Sequence, residues 1–265
     1  MKLFYRKIGE GQPLIILHGL FGQSDNWNSF GKLFAESGFA VYLVDMRNHG
    51  LSPQSDVFNY QAMSDDILEL ITDNNLLKDG KIILLGHSMG GKAAMQFALQ
   101  HPELLDKLIV VDVAPKFYPP HHQDVISGLN AIDLRLLKTR KEAEIILSKY
   151  ISDIGTKQFL LKNLYWKENA NNSSPSDGSF AWRFNLEVIG KQINEISSEI
   201  INDSICTTPA LFIRGSRSSY ILDEDIKLIK KFFPYSTIET IADAGHWVHV
   251  DKPKDFFESV IRFIK

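Results

Sequence analysis

The sequence predicts a mostly parallel α/β sheet flanked by helices, interrupted by one helical insertion. Three observations carry this reading. Short apolar runs recur along the chain and end at Gly, Asp, Arg or His. Segments of helical period alternate with them. That alternation stops between about Pro115 and Thr208 and then resumes.

The first run is Leu14 to Leu17, ending at His18-Gly19. Phe39 to Val44 ends at Asp45, Ile82 to Leu85 at Gly86, and Leu108 to Val111 at Asp112. Ala210 to Ile213 ends at Arg214-Gly215, and Thr237 to Ile241 precedes Asp243-Ala244-Gly245-His246. Apolar runs this short, bounded by turn residues, suit strands buried on both faces of a parallel sheet. Helical spacing occupies Trp27 to Glu36, Tyr60 to Asn74, Ser88 to Gln100, Asp223 to Phe233 and Lys254 to Ile264. Alternating strands and helices give a parallel sheet whose working residues lie beyond the strands' carboxyl ends. Gly19, Asp45, Ser88, Asp112 and His246 all fall there. The expected division is a core of 1–114 and 206–265 with a helical cap inserted at 115–205. Within the insertion, Glu142 to Tyr150 and Lys157 to Leu164 read as helices, and the Asn/Ser-rich stretch from Glu168 to Ser179 reads as plain surface loop.

The bulk numbers remove several classes of function. With 265 residues, 44% of them hydrophobic, the chain holds a sizeable core but is too mixed for a membrane protein. A net charge of −3 with no Lys/Arg run argues against nucleic acid or anionic lipid as a partner. The amino-terminal Lys2, Arg6 and Lys7 return charge too soon for a signal peptide, and no apolar stretch would span a bilayer. Cys206 is the single cysteine, which suits a reducing, cytoplasmic setting and leaves no multi-cysteine zinc site. None of the eight histidines has metal-ligand spacing, so no metal is expected.

The chemistry gathers around Gly86-His87-Ser88-Met89-Gly90. In G-x-S-x-G the serine sits on a tight strand-to-helix turn with its hydroxyl exposed. The pattern alone is weak; here it follows a buried run and opens a helix, as the mechanism requires. Gly86 and Gly90 flank the turn because side chains there would clash, and Gly91 lets the helix pack closely. A serine hydroxyl is a poor nucleophile until a base takes its proton. His246, after the last apolar run, supplies that base in the expected chain order, with His249 its near competitor. His18, in His18-Gly19-Leu20-Phe21-Gly22, reads as a structural histidine holding a loop. The backbone N–H groups of Leu20 and Met89 are the expected oxyanion donors, with Phe21 the alternative to Leu20. His101, His121 and His122 read as solvated. Asp45 and Arg47 are expected to pair within the core, with His49 structural rather than substrate-facing. Phe21, Trp182, Arg183 and Trp247 are candidate substrate contacts.

LHGLFG (17–22), VDMRNHGLSP (44–53), GHSMGGKAAM (86–95), VVDVAP (110–115), WRFN (182–185) and AGHWVH (244–249) together resemble a branch of the α/β-hydrolases. That branch contains the YbfF-type esterases and α/β-hydrolase-domain protein 11. The resemblance covers nearly the whole chain, and DMRNHG with GHSMGGK is its most specific part. It implies an α/β-hydrolase core with a helical cap. It also implies hydrolysis of acyl esters, and of acyl-CoA thioesters, without a cofactor. Carbon–carbon bond cleavage on the same scaffold, or a ligand-binding receptor that keeps the triad, are the alternatives.

The acid is the unusual member. Gly-x-x-Asp spacing after Gly215 lands on Ser218, which cannot balance an imidazolium charge. Asp223 and Asp225 read as helix-start residues. Asp112, among Val110, Val111, Val113 and Ala114, needs a partner there. The resembling family also has Asp at this position and Ser at the other. Asp112 is therefore assigned as the orienter of His246, with Ser218 auxiliary.

Overall fold

The computed structural model describes residues 1–120, 122–168, 178–200 and 203–265. It contains β1 (Tyr5–Ile8), β2 (Gln12–Leu17), α1 (Asn28–Glu36), β3 (Phe39–Val44), α2 (Tyr60–Asp73), β4 (Ile82–His87), α3 (Met89–Gln100) and β5 (Leu105–Val111). Then come α4 (Gln123–Asn130), α5 (Arg140–Leu147), α6 (Ile154–Leu161), β6 (Leu164–Glu168), β7 (Gly178–Trp182), α7 (Leu186–Lys191) and α8 (Ile193–Ser197). The chain closes with β8 (Ala210–Gly215), α9 (Ile226–Phe232), β9 (Ser236–Ile241), α10 (Val248–Asp251) and α11 (Pro253–Ile264).

Seven strands form one sheet in the order β1-β3-β2-β4-β5-β8-β9. Every pairing is parallel except that of β1 with β3. All six strands expected from apolar runs are present. The seventh, β1, is Tyr5-Arg6-Lys7-Ile8 at the sheet edge, half exposed. An edge strand buries little, so it carries no apolar run to read. Side chains alternate across the sheet, as strand geometry requires. Leu14, Ile16, Ile83, Leu85, Ile109 and Val111 pack with Phe34 of α1 and Phe256 of α11. Ile15, Leu17, Leu84, Leu108 and Val110 pack on the other face with Met63 of α2 and Ala94 of α3.

Among the described residues, the stretch between β5 and β8 holds five helices and, beyond the sequence expectation, a two-stranded antiparallel hairpin, β6 with β7. Its strands are half exposed at most positions, which hides them from an apolar-run search. Most of the Asn/Ser-rich stretch, 169–177, lies outside the described residues, as does His121.

The expected pairing of Asp45 with Arg47 is not formed. The Arg47 guanidinium reaches α2 and donates to Asp66 from Nε (2.7 Å) and Nη2 (2.8 Å), and also to the carbonyls of Val57 and Ala62. Asp45 instead accepts from the backbone N–H groups of Ser24 (2.6 Å) and Leu51 (2.8 Å). Two residues apart in a turn, the two side chains leave in different directions. Each finds a buried partner that proximity in sequence does not reveal.

Candidate active site

The parallel register aligns the strands' carboxyl ends, with Leu17 beside Gly86, His87 beside Val111, and Val111 beside Ile213. The residues that follow those ends therefore meet at one edge of the sheet. Ser88 follows β4 with φ 53° and ψ −117°, and Asp112 follows β5 with φ 52°. Left-handed φ is uncommon for residues other than glycine and signals a turn held by its surroundings. Here the bonds from Ser88 N–H to the Val111 carbonyl (3.0 Å) and from Asp112 N–H to the Ile213 carbonyl (2.8 Å) help to hold both. The flanking glycines are required sterically. A Cβ on Gly86 would come within 2.2 Å of the Gly90 carbonyl oxygen, and one on Gly90 within 2.6 Å of those of Leu17 and His18. On Gly91 it would lie 2.7 Å from Val113.

Ser88, His246 and Asp112 come together from three separate segments. His246 Nε2 lies 3.1 Å from Ser88 Oγ, and Nδ1 lies 2.8 Å from Asp112 Oδ2. A carboxylate facing Nδ1 keeps the proton there and leaves Nε2 with a lone pair toward the serine. Asp112 is fully buried. It accepts from Gly215 N–H (3.1 Å) through Oδ1, and from the Ser218 hydroxyl and the His246 ring through Oδ2. Three donors satisfy a carboxylate that would otherwise be costly to bury. Asp223 pairs instead with Arg214 (2.7 Å). Asp225 accepts from Leu222 N–H (2.8 Å) and pairs with Lys116 (2.6 Å). Neither forms a bond to His246.

Two neighbours of His246 escaped the sequence reading. The Tyr220 ring stacks on it at 3.8 Å and 18°. His87 lies 4.8 Å away ring to ring, and its Nε2 donates to the His246 carbonyl (3.0 Å). Burial holds His87 well below the ordinary histidine range, with the charges of His246 and His249 adding to the effect. His249, the near competitor for the base, is buried in α10 and stacks on Trp27 at 4.2 Å.

The Leu20 and Met89 N–H groups have no protein acceptor among the described residues, and both residues line a cavity with Ser88. Phe21 N–H is taken by His49 Nε2 (3.1 Å), which removes it as the alternative donor. The loop is held by neutral histidines. His18 donates from Nδ1 to the Gly19 carbonyl (2.8 Å) and accepts Met46 N–H at Nε2 (3.0 Å). His49 donates from Nδ1 to the Arg47 carbonyl (2.9 Å). Asn163, just before β6, donates to the Phe21 carbonyl (2.8 Å).

The cavity is further lined by Tyr60, Lys92, Val113, Tyr118 and Tyr220, and by His122, which is therefore not a purely solvated residue. Phe21, Trp182, Arg183 and Trp247 lie outside that lining. Trp182 stacks on Phe184, which meets Phe21 edge-on. Arg183 stacks on Tyr165 at 3.9 Å, and Trp247 packs against Phe159.

Acid should weaken this architecture. Burial pushes His18 down to about 4, and His49 and His249 to about 3. A depressed folded value means the unfolded chain takes up protons first, from about pH 6.5 downward. The stability from burying these rings neutral is complete above pH 6.5 and lost as pH falls toward 4 and 3. By pH 5 each of the three should cost about 2 kcal/mol. Urea unfolding at pH 7.5 and pH 5 checks this; equal unfolding free energies would refute it.

A sequence profile described as the alpha/beta hydrolase fold matches residues 12–253. The chain is 38% identical to the sn-1-specific diacylglycerol lipase ABHD11 of Danio rerio, over 97% of this chain and 80% of that one. It is 34% identical to esterase YbfF of Escherichia coli K12, over 95% and 92%. Among solved structures it is similar to a marine microorganism esterase, with TM-score 0.92, 44% identity and 99% of both chains covered. No helix among the described residues is long and apolar enough to cross a membrane.

Proposed function

This chain belongs to the α/β-hydrolase family and is an ester hydrolase of the esterase/lipase type, and from that premise we propose a serine mechanism run by Ser88, His246 and Asp112. The observation that carries the proposal is the His246 ring, bonded at one nitrogen to Ser88 Oγ and at the other to Asp112.

His246 Nε2 takes the Ser88 proton as Oγ attacks the acyl carbonyl. Negative charge develops on the carbonyl oxygen, where the Leu20 and Met89 N–H groups receive it at the amino end of α3. The imidazolium, balanced by Asp112, gives its proton to the departing alcohol or thiol oxygen or sulfur. An acyl-enzyme on Ser88 remains. Water, deprotonated by the same nitrogen, attacks the acyl carbon and releases the acid, restoring Ser88. Ser218 shares Oδ2 of Asp112 with His246 and fixes the carboxylate's rotation. Acyl esters are the proposed substrates, with acyl-CoA thioesters a second group open to the same steps. We assign residues 115–205 as a cap: Tyr118, His122, Ile196 and Ser197 come from this stretch and line the cavity beside Ser88.

An organophosphonate should label Ser88 with one equivalent, and short p-nitrophenyl esters should turn over. A chain that cleaves no ester and takes no label at Ser88 is instead a binding protein, and the mechanism fails.

A further inference from the structure

Lys92 stands one helical turn beyond Ser88 in the wall of the same cavity, and the reaction above gives it no task. The side chain is only 1% exposed. Its Nζ donates to the carbonyls of Lys116 (2.7 Å) and Ser198 (2.5 Å). It lies 4.8 Å from the centroid of the Tyr118 ring and 5.6 Å from that of Tyr60. Both tyrosines line the cavity together with Lys92.

An ammonium has three donors, and two are spent on carbonyls. Among the described residues Lys92 forms no ion pair. Lys116 has its own partner in Asp225, and Glu199, which acts on Lys92 only through its field, is exposed. Burial pulls Lys92 down to about 7, Glu199 opposes this, and Lys116 adds to it. A buried charge without a counter-charge is costly, and an arriving carboxylate would supply both the charge and the missing acceptor.

We propose that Lys92 is a specificity-determining residue that binds a carboxylate on the acyl part of the substrate, which makes short hemiesters of dicarboxylic acids the preferred class. Ser88 and Lys92 line the same small cavity, so the chain between the scissile carbonyl and the carboxylate is short. The proposal rests on Ser88 as the point of attack. A different role for Lys92 is a tie between the chain leaving β5 and the chain returning toward β8. A tie needs N–H donors but no charge, and the two roles part on that point.

Binding is measured with the Ser88→Ala chain, using monomethyl succinate and its uncharged isostere methyl 4-methylpentanoate. The hemiester should bind at least tenfold more tightly. Adding Lys92→Gln, which keeps two N–H donors without the charge, should reduce that preference below twofold while the melting temperature shows the chain folded. Equal affinities in Ser88→Ala, no measurable hemiester binding, or an undiminished preference in Lys92→Gln would each overturn the proposal. Turnover by the unaltered chain of p-nitrophenyl hemisuccinate and p-nitrophenyl 4-methylpentanoate separates this from the hydrolase mechanism. Binding preference without cleavage of either ester supports Lys92 and sinks the mechanism. Cleavage of both without preference sinks the Lys92 proposal alone.

Discussion

Ser88→Ala should lower kcat for ester hydrolysis by about 10⁵- to 10⁶-fold, and His246→Ala should match it. The two act as one unit, since the serine is inert without the ring and the ring without the serine has no nucleophile to form the acyl-enzyme. The double variant should therefore be little worse than either alone, a non-additivity that separate contributions would not give. Substrate affinity should change little, because the Leu20 and Met89 donors and the cavity wall remain. The check is single-turnover kinetics on a short p-nitrophenyl ester, with circular dichroism to verify folding. A Ser88→Ala chain that keeps a tenth of the activity would refute the nucleophile assignment.

Asp112→Asn should cost on the order of 10³–10⁴ in kcat. An amide cannot accept from the Gly215 N–H, the Ser218 hydroxyl and the His246 ring as the carboxylate does. An N–H facing His246 Nδ1 would favour the tautomer that protonates Nε2, which is the wrong one for a base. Ser218→Ala removes one donor to the same oxygen and should cost roughly tenfold, the scale of one hydrogen bond to a charged group. Asp223→Asn, which loses a half-exposed pairing to Arg214, is the control. If Asp112→Asn turns over normally while Asp223→Asn or Asp225→Asn is inactive, the wrong carboxylate was assigned.

The sheet and the strand-to-helix turn around Ser88 were legible because their signals are local. A buried parallel strand is a continuous apolar run, and the turn around Ser88 demands glycine on both sides. The place of His246 after the last run pointed to the histidine that the structure sets beside Ser88. Asp112 needed a departure to be noticed: serine at 218, where spacing leads one to expect an acid. The structure gives that departure a geometry, with Ser218 and His246 on one oxygen of Asp112. What stayed hidden depends on packing between distant segments. Arg47 finds Asp66 on a helix nineteen residues on. Tyr60, Tyr118 and Tyr220 reach the cavity from three separate segments, and no single motif marks them; Lys92 lies inside GHSMGGKAAM, but the motif does not reveal that it lines the cavity. The β6–β7 hairpin and the β1 edge bury too little to leave an apolar signature.

Phe21 is gripped from two sides, its N–H by His49 of the core and its carbonyl by Asn163 from the stretch between β5 and β8. Its neighbour Leu20 carries an oxyanion donor in the proposed reaction. Substrate scope and reaction rate are therefore not separable modules in this chain. Exchanging residues 115–205 for those of a relative changes more than the shape of the space above Ser88. Unless position 163 keeps its amide, such a graft also loosens the loop on which the transition state rests, and a chimera made to widen the substrate range would lose speed on every substrate at once.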